Sequence, residues 1–115
     1  VLADARSALS AFYRPELGEP FTTAGCCLYR DGRDSVAWHG DRHRHVVIDP
    51  IVAIVSVGSP RPLRLRPRGG GASQGWDLGD GDLFVMGGAC QHDWEHTVPK
   101  VRHAGARLSI TFRNV

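Results

Sequence analysis

Ile51-Val52-Ala53-Ile54-Val55-Ser56-Val57 is an apolar, largely β-branched run in a chain of 115 residues. β-Branched side chains favour extended backbone, and a run without polar alternation reads as a strand covered on both faces. Gly58-Ser59-Pro60 ends it, because neither Gly nor Pro continues a ladder well. Outward from this run, strand-sized segments recur between turn residues. Leu63–Arg68 and Gly75–Leu78 flank Gly69-Gly70-Gly71 as a hairpin, and Asp80-Gly81 turns into Leu83–Met86, which Gly87-Gly88 closes. Trp94–Val98 is halted by Pro99, and Arg107–Arg113 comes last. On the N-terminal side, Cys26–Arg30 and Val36–His39 bracket the turn Asp31-Gly32-Arg33-Asp34. Before them, Leu2, Ala5, Leu9 and Phe12 recur at helical spacing, so residues 2–14 read as one amphipathic helix ended by Pro15. The pattern predicts a mainly β fold, a sandwich or jelly roll of about eight short strands after one helix.

The length fits a single domain over residues 1–115, large enough to bury roughly two-thirds of its unfolded surface without staples. Hydrophobic content of 42% and charge of 23% are ordinary for a soluble globular protein. The longest apolar stretch is too short to span a bilayer, and no signal peptide opens the chain. Val1 starts part-way into helix-like sequence, so a preceding segment is expected. Cys26, Cys27 and Cys90 have no CxxC spacing and read as free thiols in a reducing cytoplasm. A net charge of +2 does not by itself indicate a nucleic-acid partner, but the charges cluster. Arg61, Arg64, Arg66 and Arg68 share one segment, and Arg30, Arg33, Arg42 and Arg44 lie around residues 38–41. Such clusters suit an anionic ligand or a phosphate backbone. Equally, in Leu63-Arg64-Leu65-Arg66 they suit a strand with its basic side wet.

His39-Gly40-Asp41 and the distant His96 supply two imidazoles and one carboxylate, the ligand set of the non-haem Fe(II) facial triad. On a strand, positions i and i+2 share a face, so His39 and Asp41 can converge on one ion while His96 comes from another strand. His43, His45, His92 and His103 lack such a partner pattern. Arg107 and Arg113 also share a strand face, about 20 Å apart at roughly 3.3 Å per residue. Long arginine side chains leaning together can grip the two ends of a small dicarboxylate. Ser109 and Thr111 lie between them, and Tyr29 can add a phenol.

Four segments carry a resemblance to a known family: Leu28-Tyr29-Arg30-Asp31-Gly32, Trp38-His39-Gly40-Asp41, Asp93-Trp94-Glu95-His96-Thr97-Val98-Pro99-Lys100 and Arg107-Leu108-Ser109-Ile110-Thr111-Phe112-Arg113. In this order they resemble the AlkB family of Fe(II)/2-oxoglutarate dioxygenases, over about residues 25–113. The resemblance implies a double-stranded β-helix with iron on His39, Asp41 and His96. It places Tyr29 and Arg107 on the distal carboxylate of 2-oxoglutarate, Arg113 near the 2-oxo acid end, Ser109 in the pocket and Thr111 beside it. Trp38, Arg42, His43 and Arg44 are the expected substrate contacts. The chain departs from the family at Cys27, where Asn is usual, and at His43, where some members have an acidic residue against the base. Most of the N-terminal extension that forms the family's nucleotide lid is absent from these residues. The implied activity is oxidative demethylation of N-alkylated bases, such as 1-methyladenine and 3-methylcytosine, in DNA or RNA. It uses molecular oxygen, and the expected protein is a cytoplasmic monomer without a membrane span. The rival readings are an oxygenase of a protein or small molecule, and a non-catalytic metal-binding jelly roll that docks nucleic acid.

Overall fold

The computed structural model describes residues 1–17, 20–40, 51–88 and 90–114. In chain order these form α1 (Leu2–Phe12), α2 (Arg14–Leu17), β1 (Thr23–Tyr29), β2 (Val36–His39), β3 (Val52–Gly58) and β4 (Arg61–Pro67). Then follow β5 (Gln74–Leu78), β6 (Leu83–Met86), α3 (Cys90–Asp93), β7 (Trp94–Val98) and β8 (Arg107–Arg113). One antiparallel sheet has the order β1-β8-β3-β6 and the other β2-β7-β4-β5. Consecutive strands fall largely in different sheets, which makes the double-stranded jelly roll.

The main core fills the space between the sheets. Val52, Ile54, Met86 and Tyr29 from one meet Leu63, Leu65, Leu78 and Val98 from the other. A second cluster lies on the outside of the first sheet, where Ala5, Leu9 and Tyr13 pack against Phe21, Ile51, Ala53 and Phe112. β3 is therefore covered on both sides, as its apolar run predicts, until its end emerges at Val57. α1 ends at Phe12, with the Tyr13 N–H donating to the Leu9 carbonyl at 3.0 Å. Pro15 does not end the helical path as expected. It sits in the first turn of α2, where its missing N–H costs no hydrogen bond. The single turn α3 carries no periodic pattern in the sequence and is an addition to the expected elements.

Among the described residues, the arginines read as an anion surface have partners within the molecule, although Arg30 and Arg33 remain exposed. Arg30 chelates Asp34, and Arg33 pairs with Asp31 at 2.8 Å, both within the β1–β2 turn. Those bonds, with Arg30 bound first through its side chain, hold the Asp34 carboxyl well below the usual carboxylate range. Arg61 is 1% exposed and donates to the carbonyls of Asp31, Asp34 and Pro99. It ties the β1–β2 turn to the segment after β7. Arg64 donates to Ser73 Oγ, and Arg68 to the carbonyls of His92 and Gln91. On β4 the alternation is as expected: Arg61, Leu63 and Leu65 are buried and Arg64 and Arg66 turn outward.

Candidate active site

Alternation along β8 turns Arg107, Ser109, Thr111 and Arg113 to the inner side of their sheet, and Leu108, Ile110 and Phe112 to the other. β1 lies beside it with Tyr29 opposite Arg107 and Cys27 opposite Ser109; β3 places Ser56 opposite Ser109 on the other side. A cavity of about 180 Å³ opens over this ladder. Tyr29, Arg107, Ser109, Thr111 and Arg113 line it from one sheet, and His39 and His96 from the other. A larger, open groove of about 610 Å³ around Arg33, Arg102 and His103 contains none of the expected site residues.

β2 and β7 pair so that His39 and His96 are direct neighbours across the ladder. Their ring centroids are 4.2 Å apart at a tilt of 54°. His39 Nδ1 lies 2.9 Å from the Ala37 carbonyl oxygen, a contact that holds the donor proton on Nδ1 and leaves the Nε2 lone pair for a metal ion. Two imidazoles on adjacent strands fit a borderline cation such as Fe(II). The third expected ligand, Asp41, and the expected substrate contacts Arg42, His43 and Arg44 lie outside the described residues. Gly40 is packed so closely that a Cβ there would fall 2.5 Å from Arg68 Nη2. Only Gly fits between His39 and Asp41 without displacing that side chain.

The far end of the cavity is built for an anion. Arg107 is 2% exposed, and its Nε donates to Ser56 Oγ at 2.9 Å. Its Nη1 is buried without a hydrogen-bond partner among the described residues. A buried guanidinium with an unused donor is costly unless a ligand oxygen completes it, and a carboxylate is the group that suits it. Burial depresses the Arg107 pKa, an effect the Tyr29 hydroxyl beside it opposes. Tyr29 stands under two guanidiniums, Arg107 at 5.1 Å and Arg61 at 5.4 Å from its ring centroid. Burial first, and then contact with Cys27, pushes the phenol up to about 12, so it remains a neutral hydrogen-bond donor at physiological pH.

Trp38 does not line this cavity. It precedes His39 on β2, so alternation turns it to the opposite face, where the Arg66 guanidinium lies 4.0 Å from its ring centroid. Arg66 also donates to Glu95 at 2.6 Å. The group Trp38, Arg66 and Glu95 spans three strands directly behind the two histidines. The sequence contained its signal, since Trp38 and Glu95 each adjoin one of the imidazoles, but nothing local linked them to Arg66.

The fold and the cavity define a jelly-roll oxygenase of the iron- and 2-oxoglutarate-dependent class, and a family model for the "2OG-Fe(II) oxygenase superfamily" matches residues 3–113. The chain is 35% identical to the alpha-ketoglutarate-dependent dioxygenase alkB homolog 3 of Rattus norvegicus, covering 85% of this chain and 37% of that protein. Against the Homo sapiens protein of the same name the identity is 36%, over 85% of this chain and 38% of the relative. The DNA oxidative demethylase ALKBH2 of Arabidopsis thaliana is 31% identical over 93% of this chain and 42% of its own length. Within that class the chain belongs to the AlkB family, whose cofactor and co-substrate are Fe(II) and 2-oxoglutarate. It spans less than half the length of these relatives.

Proposed function

We propose that this chain is the catalytic domain of an oxidative demethylase that repairs N-alkylated bases, such as 1-methyladenine and 3-methylcytosine, in DNA or RNA. The observation that carries the reading is the Arg107 guanidinium, buried with an unused donor in the same cavity as His39 and His96. A relative at 31% identity bears the name DNA oxidative demethylase, which supports nucleic acid as the substrate.

In this reading His39 and His96, joined by Asp41, hold the iron. Arg107 clamps the distal carboxylate of 2-oxoglutarate, and the neutral Tyr29 phenol donates to the same group. Ser109 and Thr111 offer hydroxyls along the ladder, and Arg113 serves the 2-oxo acid end. When bound, iron and 2-oxoglutarate supply oxidation of the N-methyl group with molecular oxygen, giving formaldehyde, the repaired base, succinate and carbon dioxide. Val36, Val52, Ile54, Leu63 and Val98 wall the cavity and keep bulk water from the reacting centre. The methylated base enters from outside the duplex stack, and a lesion that blocks pairing lowers the cost of that exit. Arg42, His43 and Arg44 are the proposed contacts to the nucleic acid. The protein is proposed to act as a cytoplasmic monomer, with its three unbridged cysteines as support for a reducing compartment. No helix among the described residues is long and apolar enough to cross a membrane.

The decisive experiment measures succinate with and without substrate, and formaldehyde from a panel of methylated DNA and RNA oligonucleotides. The reading expects succinate in both conditions and formaldehyde from 1-methyladenine or 3-methylcytosine. Succinate without formaldehyde across the panel moves the substrate to a protein or small molecule. Absence of both rules out catalysis by this chain.

A further inference from the structure

We infer that Cys27 is a thiol modification site in the wall of the co-substrate cavity, where a mixed disulfide with a low-molecular-weight disulfide such as oxidised glutathione shuts out 2-oxoglutarate. The inference rests on the reading of that cavity as the 2-oxoglutarate pocket.

Cys27 lies on β1, an edge strand of its sheet, and is solvent-exposed. It shares the inner side of β1 with Tyr29 and lines the cavity. Its neighbours across the ladder are short: Ser109 faces it on β8, with Ser56 beyond on β3. No bulky side chain in that row screens the sulfur from the ligand space, and the thiol contacts the Tyr29 side chain. The same cavity holds the independent mark of a ligand, the unpartnered Nη1 of Arg107 on a side chain that is only 2% exposed. Cys27 is thus open to solvent on one side and borders the anion position on the other. Cys26 is exposed on the opposite side of β1, and Cys90 is half-buried in α3; neither lines the cavity.

The chemistry is thiol–disulfide exchange. The Cys27 thiol gives its proton to water, and the sulfur attacks one sulfur of the disulfide. The reagent's S–S bond breaks as the new one forms, and the departing half leaves as a thiolate that takes up a proton. Cys27 is oxidised, half the reagent is reduced, and a thiol reductant reverses the step. A cavity of about 180 Å³ does not hold a tripeptide adduct and a dicarboxylate together. The adduct's carboxylates would also compete for Arg107. Oxidative conditions that raise the disulfide pool would therefore switch the protein off reversibly.

The test titrates 2-oxoglutarate by calorimetry into the Mn(II)-loaded chain without oxygen, before and after treatment with oxidised glutathione, with the adduct located by mass spectrometry. The expected result is an adduct at Cys27, loss of 2-oxoglutarate binding, and full recovery with dithiothreitol. Saturating 2-oxoglutarate should slow adduct formation. A Cys26→Ser/Cys90→Ser variant should keep this sensitivity. Cys27→Ser should lose it, its own affinity being the same before and after treatment. Binding that survives an adduct at Cys27, or an adduct rate indifferent to 2-oxoglutarate, overturns the inference while leaving the pocket in place. An untreated chain that binds no 2-oxoglutarate overturns both.

Discussion

Arg107 shows how much one side chain's surroundings decide. The same guanidinium on the surface would be a solvated charge, but over the Tyr29 ring and against Ser56 it is desolvated and has one donor unused. Arg107→Ala should lower 2-oxoglutarate affinity on the order of a hundredfold or more, since a desolvated carboxylate would lose its charged partner. Arg107→Lys keeps the charge but loses the fork, and should also weaken binding, by less than the Ala variant. Calorimetry in the presence of Mn(II) and without oxygen reads both, and parent-like affinity in the Ala variant would place the anion elsewhere. Tyr29 supplies a pH prediction. Its phenol is pushed up to about 12 in the folded chain by burial, against an ordinary value of 10.0. The folded state therefore holds that proton more tightly. The contribution is fully present below pH 10 and is lost as pH rises toward 12, by about 2–3 kcal/mol at most. Urea midpoints at pH 9 and pH 11 should fall further in the parent than in Tyr29→Phe; equal falls would show that the phenol is not held neutral by the fold.

Among the elements, β4 decides most of the site's frame. Arg61 at its start is buried and holds three carbonyls from the two connections at that end of the jelly roll. Removing it strands those acceptors, so Arg61→Ala should destabilise by about 3 kcal/mol or more in urea unfolding. A change under 1 kcal/mol, in the range of an ordinary surface substitution, would show that water replaces it freely. Further along β4, Arg66 joins Glu95 and Trp38 behind the histidines, with side chains 30% and 17% exposed for Arg66 and Glu95. A partly desolvated ion pair with an aromatic stack is worth about 1–2 kcal/mol. Arg66→Ala should lose that much stability. It should also loosen metal binding by freeing β2 and β7, which isothermal titration with Mn(II) measures. The turn into β4 depends on Gly58, whose φ is +97° and whose added Cβ would lie 2.5 Å from the Ala106 carbonyl oxygen. That position was legible as a strand end from Gly58-Ser59-Pro60. Arg61 was not: sequence placed it with three other arginines in one cationic cluster, because residue type alone does not say which guanidinium meets three carbonyls.

At the scale of the whole molecule, the site is cut into one side of the main core. The apolar side chains between the sheets pack on one another, and Tyr29, Val52, Ile54, Leu63 and Val98 belong both to that core and to the cavity wall beside His39 and His96. Burial of that apolar surface is expected to close the jelly roll without the metal. His96→Ala should abolish tight Fe(II) binding and leave a cooperative unfolding transition. Chelation should lower the parent's melting temperature only by the mass-action contribution of the bound ion. Loss of cooperative unfolding on chelation would make the metal part of the core. The proposed nucleic-acid grip is a long-range property too. Replacing Arg42 and Arg44 together should flatten the dependence of log affinity on log salt by about one unit for each phosphate the pair neutralises. A salt slope equal to the parent's, measured with a methylated oligonucleotide, would remove this pair from the binding surface.

Strands and turns were set by local sequence, and local sequence also marked His39-Gly40-Asp41 as a candidate ligand motif. Alternation, β-branched runs and Gly/Pro punctuation act within a few residues of the chain. The pairing of β8 with both β1 and β3, which brings Tyr29, Cys27 and Ser56 beside Arg107 and Ser109, was decided by tertiary structure. So was the division of the arginines into turn ties, a stack on Trp38 and one buried guanidinium with an unused donor. The physical reason is the same in both cases. Backbone conformation answers to nearest neighbours along the chain, whereas burial and the partners of a charge depend on groups that only folding brings together.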